Sequence, residues 1–176
     1  AGYQPIGAMM CTAQIHSAVA QGSGFFQHGH TYLAHPTACA AAGAVLDRLL
    51  DDRLIERVAP MGAALKGALE DRFGQHPHVG DIRGRGLFLG LEIVRDRETK
   101  EPFDPALKVH AKLKKAAFEA GLICYPMGGT IDSKRGDHVL LAPPFILSDA
   151  QTGELTDKLA TGLTRALAEA GATQTA

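Results

Sequence analysis

From Gly86 onward the apolar positions alternate strictly, with Leu87, Leu89, Leu91 and Ile93 set against Phe88, Gly90, Glu92 and Val94. A period of two sends successive side chains to opposite faces, so this segment predicts a strand with one well-buried face. Upstream the period is helical. Leu54, Val58, Met61, Leu65, Leu69 and Phe73 recur at spacings of three and four and predict a long helix. Pro60 should kink that helix or mark its true start, and Gly74 should stop it. Downstream, Asp104-Pro105 supplies an N-cap and a first-turn proline for a helix running to Gly121. Two short apolar strands, residues 122–125 and 138–142, flank a glycine-rich loop. Ser148-x-x-Gln151 is a capping-box signature, opening a last helix with Leu155, Leu159, Leu163 and Leu167 as its buried stripe and Gly171 as its end.

The N-terminal part reads differently. Residues 6–13 form an uncharged apolar run, the pattern of a buried strand. Residues 14–21 suit one or two helical turns, and residues 22–35 carry glycines, hydroxyls and histidines without period, as a loop does. A helix should begin at Pro36, alanine-rich at first and then striped by Val45, Leu46, Leu49 and Leu50. The pattern changes again at Asp51-Asp52-Arg53. The order of elements predicts an α/β fold, with residues 1–53 as the end of one domain and residues 54–176 as a compact unit with a short sheet packed by helices.

Composition narrows the function. The 176 residues are 45% hydrophobic and 21% charged, with a net charge of −1 and both signs interspersed. That charge pattern offers no field for nucleic acid or an anionic membrane. No apolar run approaches the ~18 residues of a membrane span. The N-terminus, Ala1-Gly2-Tyr3-Gln4, lacks the basic and apolar segments of a secretory signal, and it lacks an initiator Met, as a processed chain or a fragment would. Cys11, Cys39 and Cys124 are odd in number and sit in apolar contexts, which predicts buried, reduced thiols in a cytoplasmic protein.

Some chemistry can be set aside. Gly84-x-Gly86 with Gly90 precedes a strand, whereas a dinucleotide-binding turn follows a strand and opens a helix. His28-x-His30 with His35 lacks a nearby carboxylate or thiolate to complete a zinc site, so no metal is expected. Ser23 stands in Gly-Ser-Gly, outside the elbow that an acyl-transfer serine needs. The stretch from His28 to Pro36 says more: a polar, glycine-bearing loop running into a helix can offer a hydroxyl and backbone amides to an anion such as phosphate. An ordinary helix-entry loop has the same composition.

That loop, His28-Gly29-His30-Thr31-Tyr32-Leu33-Ala34-His35-Pro36, resembles the His-Gly-x-Thr-Tyr-x-x-x-Pro pattern of class III (omega-) aminotransferases, which precedes an alanine-rich helix like the one starting at Thr37. Gly2-Tyr3-Gln4-Pro5-Ile6-Gly7-Ala8 is similar to the same family's strand entry. Arg83-Gly84-Arg85-Gly86-Leu87 with Gly90 and Glu92 resembles its Arg-Gly-x-Gly-Leu-x-x-Gly-x-Glu strand, and Ala142-Pro143-Pro144 its closing Pro-Pro segment. The motifs keep the family's order over essentially the whole chain. The resemblance implies the C-terminal part of a fold-type I enzyme dependent on pyridoxal 5′-phosphate (PLP), with residues 1–53 ending the PLP-binding large domain and residues 54–176 forming the small domain.

Its implications for sites are specific. Thr31 would donate its hydroxyl to the phosphate of PLP held by the neighbouring subunit, with His30 beside it, so a homodimer is implied. Tyr32 would wall the substrate pocket. The Schiff-base lysine, the pyridine-pairing aspartate and the glycine-rich phosphate cup of the family would lie upstream, so this chain holds no catalytic residue and should be inactive alone. The lysines present, from Lys66 to Lys158, have polar neighbours and no family counterpart. Ornithine-type members carry an α-carboxylate arginine where this chain has Leu140. Omega-type members use a mobile arginine in the preceding loop, which here offers Arg135, with Lys134 as second choice; an exposed, salt-bridged surface arginine is the other reading of Arg135. The implied activity is transfer of an amino group from an omega-amine or omega-amino acid to a keto acid. A family aminomutase or decarboxylase shares these motifs, and a free-standing non-catalytic binding domain or a degenerate remnant is the alternative from another class.

Overall fold

The structure, a computed structural model, describes residues 3–172. The chain divides into two compact units, Ala1–Arg53 and Leu54–Ala176.

The first unit holds two helices, α1 (Ala13–Gln21) and α2 (Pro36–Asp51). Thr12 caps α1 through a bond from the Ile15 amide, and Pro36 occupies the first turn of α2. The expected strand over residues 6–13 does not form: residues 5–12 are irregular and exposed, and Gly2 of the same motif lies outside the described residues. A buried strand needs neighbours on its edges, and the described residues of this unit contain no strand. The stripe of α2 is likewise uncovered, with Val45, Leu46 and Leu50 exposed; Ala38 is the buried residue of this helix.

The second unit is an antiparallel sheet backed by helices. Its strands are β1 (Val79–Arg85), β2 (Phe88–Ile93), β3 (Tyr125–Gly128) and β4 (Asp137–Leu141), in the order β1-β2-β4-β3. Its helices are α3 (Leu54–Phe73), α4 (Val109–Glu119) and α5 (Asp149–Glu169). The alternation in β2 works as its period requires: Leu89, Leu91 and Ile93 are buried together with Val139 and Leu141 of β4, while Phe88 is exposed. Leu65, Leu69 and Phe73 of α3, Val109 and Leu113 of α4, and Leu159, Leu163 and Leu167 of α5 complete one core cluster. α3 runs through Pro60 and ends at Phe73. The Ser148–Gln151 capping box is formed in both directions.

β1 carries no readable alternation. Beyond Val79 and Gly80 its residues are exposed or half-buried, and Asp81, Arg83 and Arg85 blunt what is an edge strand. Its hairpin with β2 closes through Gly86, at φ 57°, in a two-residue turn between the paired Arg85 and Phe88. Glycine is the residue that tolerates this conformation in a short hairpin turn. The same Gly86 lies under α3: an added Cβ at Gly62 would meet its carbonyl oxygen at 2.3 Å.

Two boundaries differ from expectation. Asp104 and Pro105 open a single 3-10 turn, Pro105–Leu107, with Asp104 accepting from the Ala106 amide at 2.9 Å. Lys108 then turns left-handed, at φ 48°, and α4 begins only at Val109. The apolar segment at 122–125 mostly leads into β3, which starts at Tyr125, because only Tyr125–Gly128 faces β4 in register. The cysteines are free as expected, but Cys11 and Cys39 are exposed and only Cys124 is partly covered. Their apolar neighbours belong to the first unit, where little is buried.

Candidate functional site

The candidate residues fall in two places, the loop entering α2 and the loop joining β3 to β4. In the first, Leu33 N–H donates to the His30 carbonyl (2.9 Å) and His35 N–H to the Tyr32 carbonyl (3.2 Å), forming overlapping turns. Ala34 takes a left-handed conformation, φ 57°, within them. Thr31 and Tyr32 are exposed on this turn, Tyr32 at 80% of its surface. The rings of His28 and His30 meet edge to face, 5.1 Å apart. His30, Thr31 and Tyr32 thus share one short, hydrogen-bonded loop.

The start of α2 has its own hydrogen-bond partners. Pro36 has no amide proton, and the Ala38 amide is taken by Nδ1 of His35 at 3.3 Å. The His35 carbonyl accepts from the Cys39 amide at 3.0 Å. Pro36 and Ala38 therefore offer no amide to an anion, and the Thr31 hydroxyl is a donor chemically suited to a phosphate oxygen.

The second place is the loop of residues 129–136. It is closed by its own backbone: Ile131 N–H donates to the Arg135 carbonyl (2.9 Å) and Ser133 N–H to the Gly129 carbonyl (3.0 Å). Gly129, Ser133 and Gly136 take positive φ. At its base Thr130 Oγ1 lies 2.6 Å from His138 Nδ1, and the buried Asp137 accepts from the His110 amide at 3.1 Å. The Asp137 carboxylate also lies 2.5 Å from His110 Nδ1, tying the base of the loop to the first turn of α4. Arg135 Nε donates to Asp132 Oδ2 at 2.8 Å, and both side chains are substantially exposed. The amide and side chain of Arg135 and the amide of Lys134 hold the Asp132 carboxyl down to about 2. Arg135 also borders a hollow of about 250 Å³ with Arg95, Glu101 and Asp104.

Leu140 lines a second hollow, of about 280 Å³, on the open face of the sheet, together with Phe88, Gly90, Arg83, Glu92 and His138. Arg83 is committed there to Asp81 (2.6 Å) and Glu92 (3.6 Å), as an anchor of the hairpin. No group of three or more potential metal ligands exists among the described residues.

The model of the aminotransferase class-III family matches residues 1–163. The chain belongs to that family. It is 47% identical over 167 residues to an uncharacterized aminotransferase of Schizosaccharomyces pombe, covering 95% of this chain and 36% of the relative. Among solved structures it is similar to a thermostable (S)-enantioselective omega-transaminase from Thermomicrobium roseum, at 37% identity and a TM-score of 0.76, covering 89% of this chain and 33% of that one. A PLP-bound aminotransferase mutant from Vibrio fluvialis gives 33% identity and a TM-score of 0.74, covering 88% of this chain and 32% of that one. The chain therefore spans about a third of the length of the relatives it matches.

Class III aminotransferases depend on PLP, and the small antiparallel sheet with its helices is the C-terminal part of the transaminase fold. The loop residues fit the phosphate end of such a cofactor. Thr31 presents an exposed hydroxyl donor on a turn fixed by backbone bonds. Sequence reasoning missed Asp132 and the His110–Asp137 clamp. Asp132-x-x-Arg135 has the spacing of a side chain capping its own turn, a local signal that could have been used. His110 and Asp137 are separated by 27 residues, and no local pattern connects them.

Proposed function

We propose that this chain is the C-terminal part of a PLP-dependent class III transaminase that moves an amino group from an omega-amine or omega-amino acid to a keto acid. The observation that carries the reading is the loop from His28 to His35, with Thr31 exposed on a fixed turn at the head of an alanine-rich helix, in a chain of this family. In this reading Ala1–Arg53 closes the large domain and Leu54–Ala176 is the small domain over the cofactor. The enzyme works as a homodimer in the cytoplasm, where its free thiols stay reduced.

The roles of this chain's residues follow from their chemistry. Thr31 donates its hydroxyl to a phosphate oxygen of the cofactor in the neighbouring subunit, and His30 adds a second polar contact. A hydroxyl to a phosphate oxygen is a charge-assisted bond, stronger than a neutral pair. Tyr32 supplies an aromatic wall that excludes water from the amine. Arg135 binds the carboxylate of an omega-amino acid or keto acid, since a planar guanidinium matches a carboxylate through two parallel bonds. Lys134, a compact point charge, is the weaker candidate for that role. When bound, PLP would supply an electron sink for the charge left when the substrate carbon bearing the amine gives up its proton. The residues that touch the reacting atoms, the Schiff-base lysine first among them, belong to the part of the enzyme upstream of this chain, so the chain by itself is inactive. Leu140 places no cation at the ornithine-type position, which favours omega substrates.

Thr31→Ala in the complete enzyme should raise the dissociation constant of PLP by about tenfold, the worth of one charge-assisted hydrogen bond of about 1.5 kcal/mol. Fluorescence titration of the cofactor-free enzyme measures this. Undiminished affinity would remove Thr31 from the phosphate site.

A further inference from the structure

We infer that His76 and His78 form an acid-sensitive latch where the turn after α3 enters β1: with both rings neutral they tie that turn to the exit of β2, and protonation of His76 opens it. The latch lies within the second unit and does not depend on the reaction that the complete protein performs.

The two imidazoles stand two residues apart and use the same ring nitrogen in opposite senses. His78 Nδ1 lies 2.9 Å from the Arg95 carbonyl oxygen and 3.2 Å from that of Val94. A carbonyl only accepts, so His78 carries its proton on Nδ1 and donates. His76 Nδ1 lies 3.1 Å from the His78 amide nitrogen. A backbone N–H only donates, so His76 Nδ1 is bare and its proton sits on Nε2. The backbone closes the same turn. His76 N–H donates to the Phe73 carbonyl (2.9 Å), Val79 N–H to the His76 carbonyl (3.1 Å) and Val94 N–H to the His78 carbonyl (3.0 Å). The His78 ring packs on Phe103 at 5.4 Å and on His76 at 5.9 Å, which brings Phe103 against the turn.

A second proton affects the two rings unequally. On His78 it goes to Nε2 and leaves both bonds to carbonyls in place. On His76 it must go to Nδ1, where it meets the His78 N–H and removes the acceptor that holds the turn. Burial, and then His78, lower the pKa of His76, in keeping with a site built for the neutral ring. Charged groups on the adjoining elements are engaged elsewhere. In the last turns of α3, Glu70 is paired with Lys66 and Arg72 with Asp157, and Asp71 is exposed. On β1 and β2, Arg83 takes Asp81 and Glu92. Beyond β2, Arg97 donates to the Val79 carbonyl, Lys100 to the Gly80 carbonyl, Arg95 pairs with Glu101, and Asp96 accepts from Thr99. Among the described residues the histidine paired with a carboxylate is His110. No anion therefore stabilises a charged His76, and opening the turn to water is the way to accommodate it.

The test is amide hydrogen exchange of the complete protein, read by peptide mass from pH 8 to 5.5, with each rate divided by its intrinsic value at that pH. The opened turn exposes a ring with an ordinary pKa of about 6.5, so exchange at the His78, Val79 and Val94 amides should rise with acid, by up to about tenfold at pH 5.5. Peptides from the centre of β2 and from α5 should stay protected over the same labelling time. His76→Asn keeps an oxygen that can accept the His78 amide, as in an Asx turn, but takes up no proton, so its turn should stay closed across the range. A second measurement needs no substitution: deuterium uptake at the His76 ring carbon reports its titration, with a midpoint expected below the ordinary histidine value and at the pH where the turn opens. Turn amides indifferent to acid, an acid response that survives in His76→Asn, or a His76 midpoint at or above about 6.5 would each overturn the latch. Equal loss of protection in β2 and α5 would make the response one of global unfolding and overturn it as well.

Discussion

The Arg-Gly-x-Gly-Leu hairpin is held against α3 by a contact that allows no side chain, and two alanine substitutions in that helix expose it. A Cβ at Gly62 would lie 2.3 Å from the Gly86 carbonyl oxygen and 2.4 Å from its carbon, both backbone atoms. Carbon contacts are comfortable at about 3.5 Å or more, so the helix or the hairpin must move by about 1 Å. Gly67 lies in the same helix with nothing within 4 Å of its Cβ position. Each substitution gains up to about 1 kcal/mol in helix propensity. Overpacking at Gly62 costs about 1–3 kcal/mol, so Gly62→Ala should lose up to about 2 kcal/mol net while Gly67→Ala gains nearly 1 kcal/mol. With a urea m-value of about 1–3 kcal/mol/M, the difference of about 1–3 kcal/mol should separate the two midpoints by about 1 M, Gly67→Ala lying the higher. Equal midpoints for the two variants would refute the close approach of Gly62 to the hairpin.

Two further outcomes follow from burial and charge. Burial, and then the neighbouring His78, lower the pKa of His76; burial, and then Arg83, lower that of His138. The unfolded chain therefore binds protons first, so stability is fully present above the ordinary histidine value of about 6.5 and is lost as pH falls from there through the lowered folded values. Urea midpoints measured from pH 8 to 5.5 should be flat and then fall, with a shallower fall in His76→Gln; a midpoint that rises on acidification would contradict this. Burial pushes the Cys124 thiol up to about 11, whereas Cys11 and Cys39 are exposed. Iodoacetamide at pH 8 should label Cys11 and Cys39 in the native chain and reach Cys124 only after denaturation, read by peptide mass; early labelling of Cys124 would be the contrary result.

Sequence legibility followed the physical origin of each element. The strand through Leu87–Ile93, α3, and α5 with its capping box were readable because their burial is periodic and their caps are local. β1 was not, because an edge strand of Asp81, Arg83 and two glycines is defined by its partner and carries no apolar period. The run at residues 6–13 misled for the opposite reason: its composition suits a strand, but a strand also needs neighbours, and the described residues of the first unit contain none. At the candidate site, the residue types from His30 to Tyr32 and at Arg135 were visible as motif and loop. The engagement of the Ala38 amide by His35, and of Arg135 by Asp132, depends on side-chain direction and became visible only in three dimensions.

In the proposed function the lysine that holds PLP lies upstream of this chain. The most direct measurement is the intact mass of the native gene product, isolated from its source and reduced with borohydride in the presence of PLP. The expected product is a chain more than twice the present length carrying one phosphopyridoxyl group. A native product of 176 residues without that adduct would contradict it and leave the family fold without its chemistry.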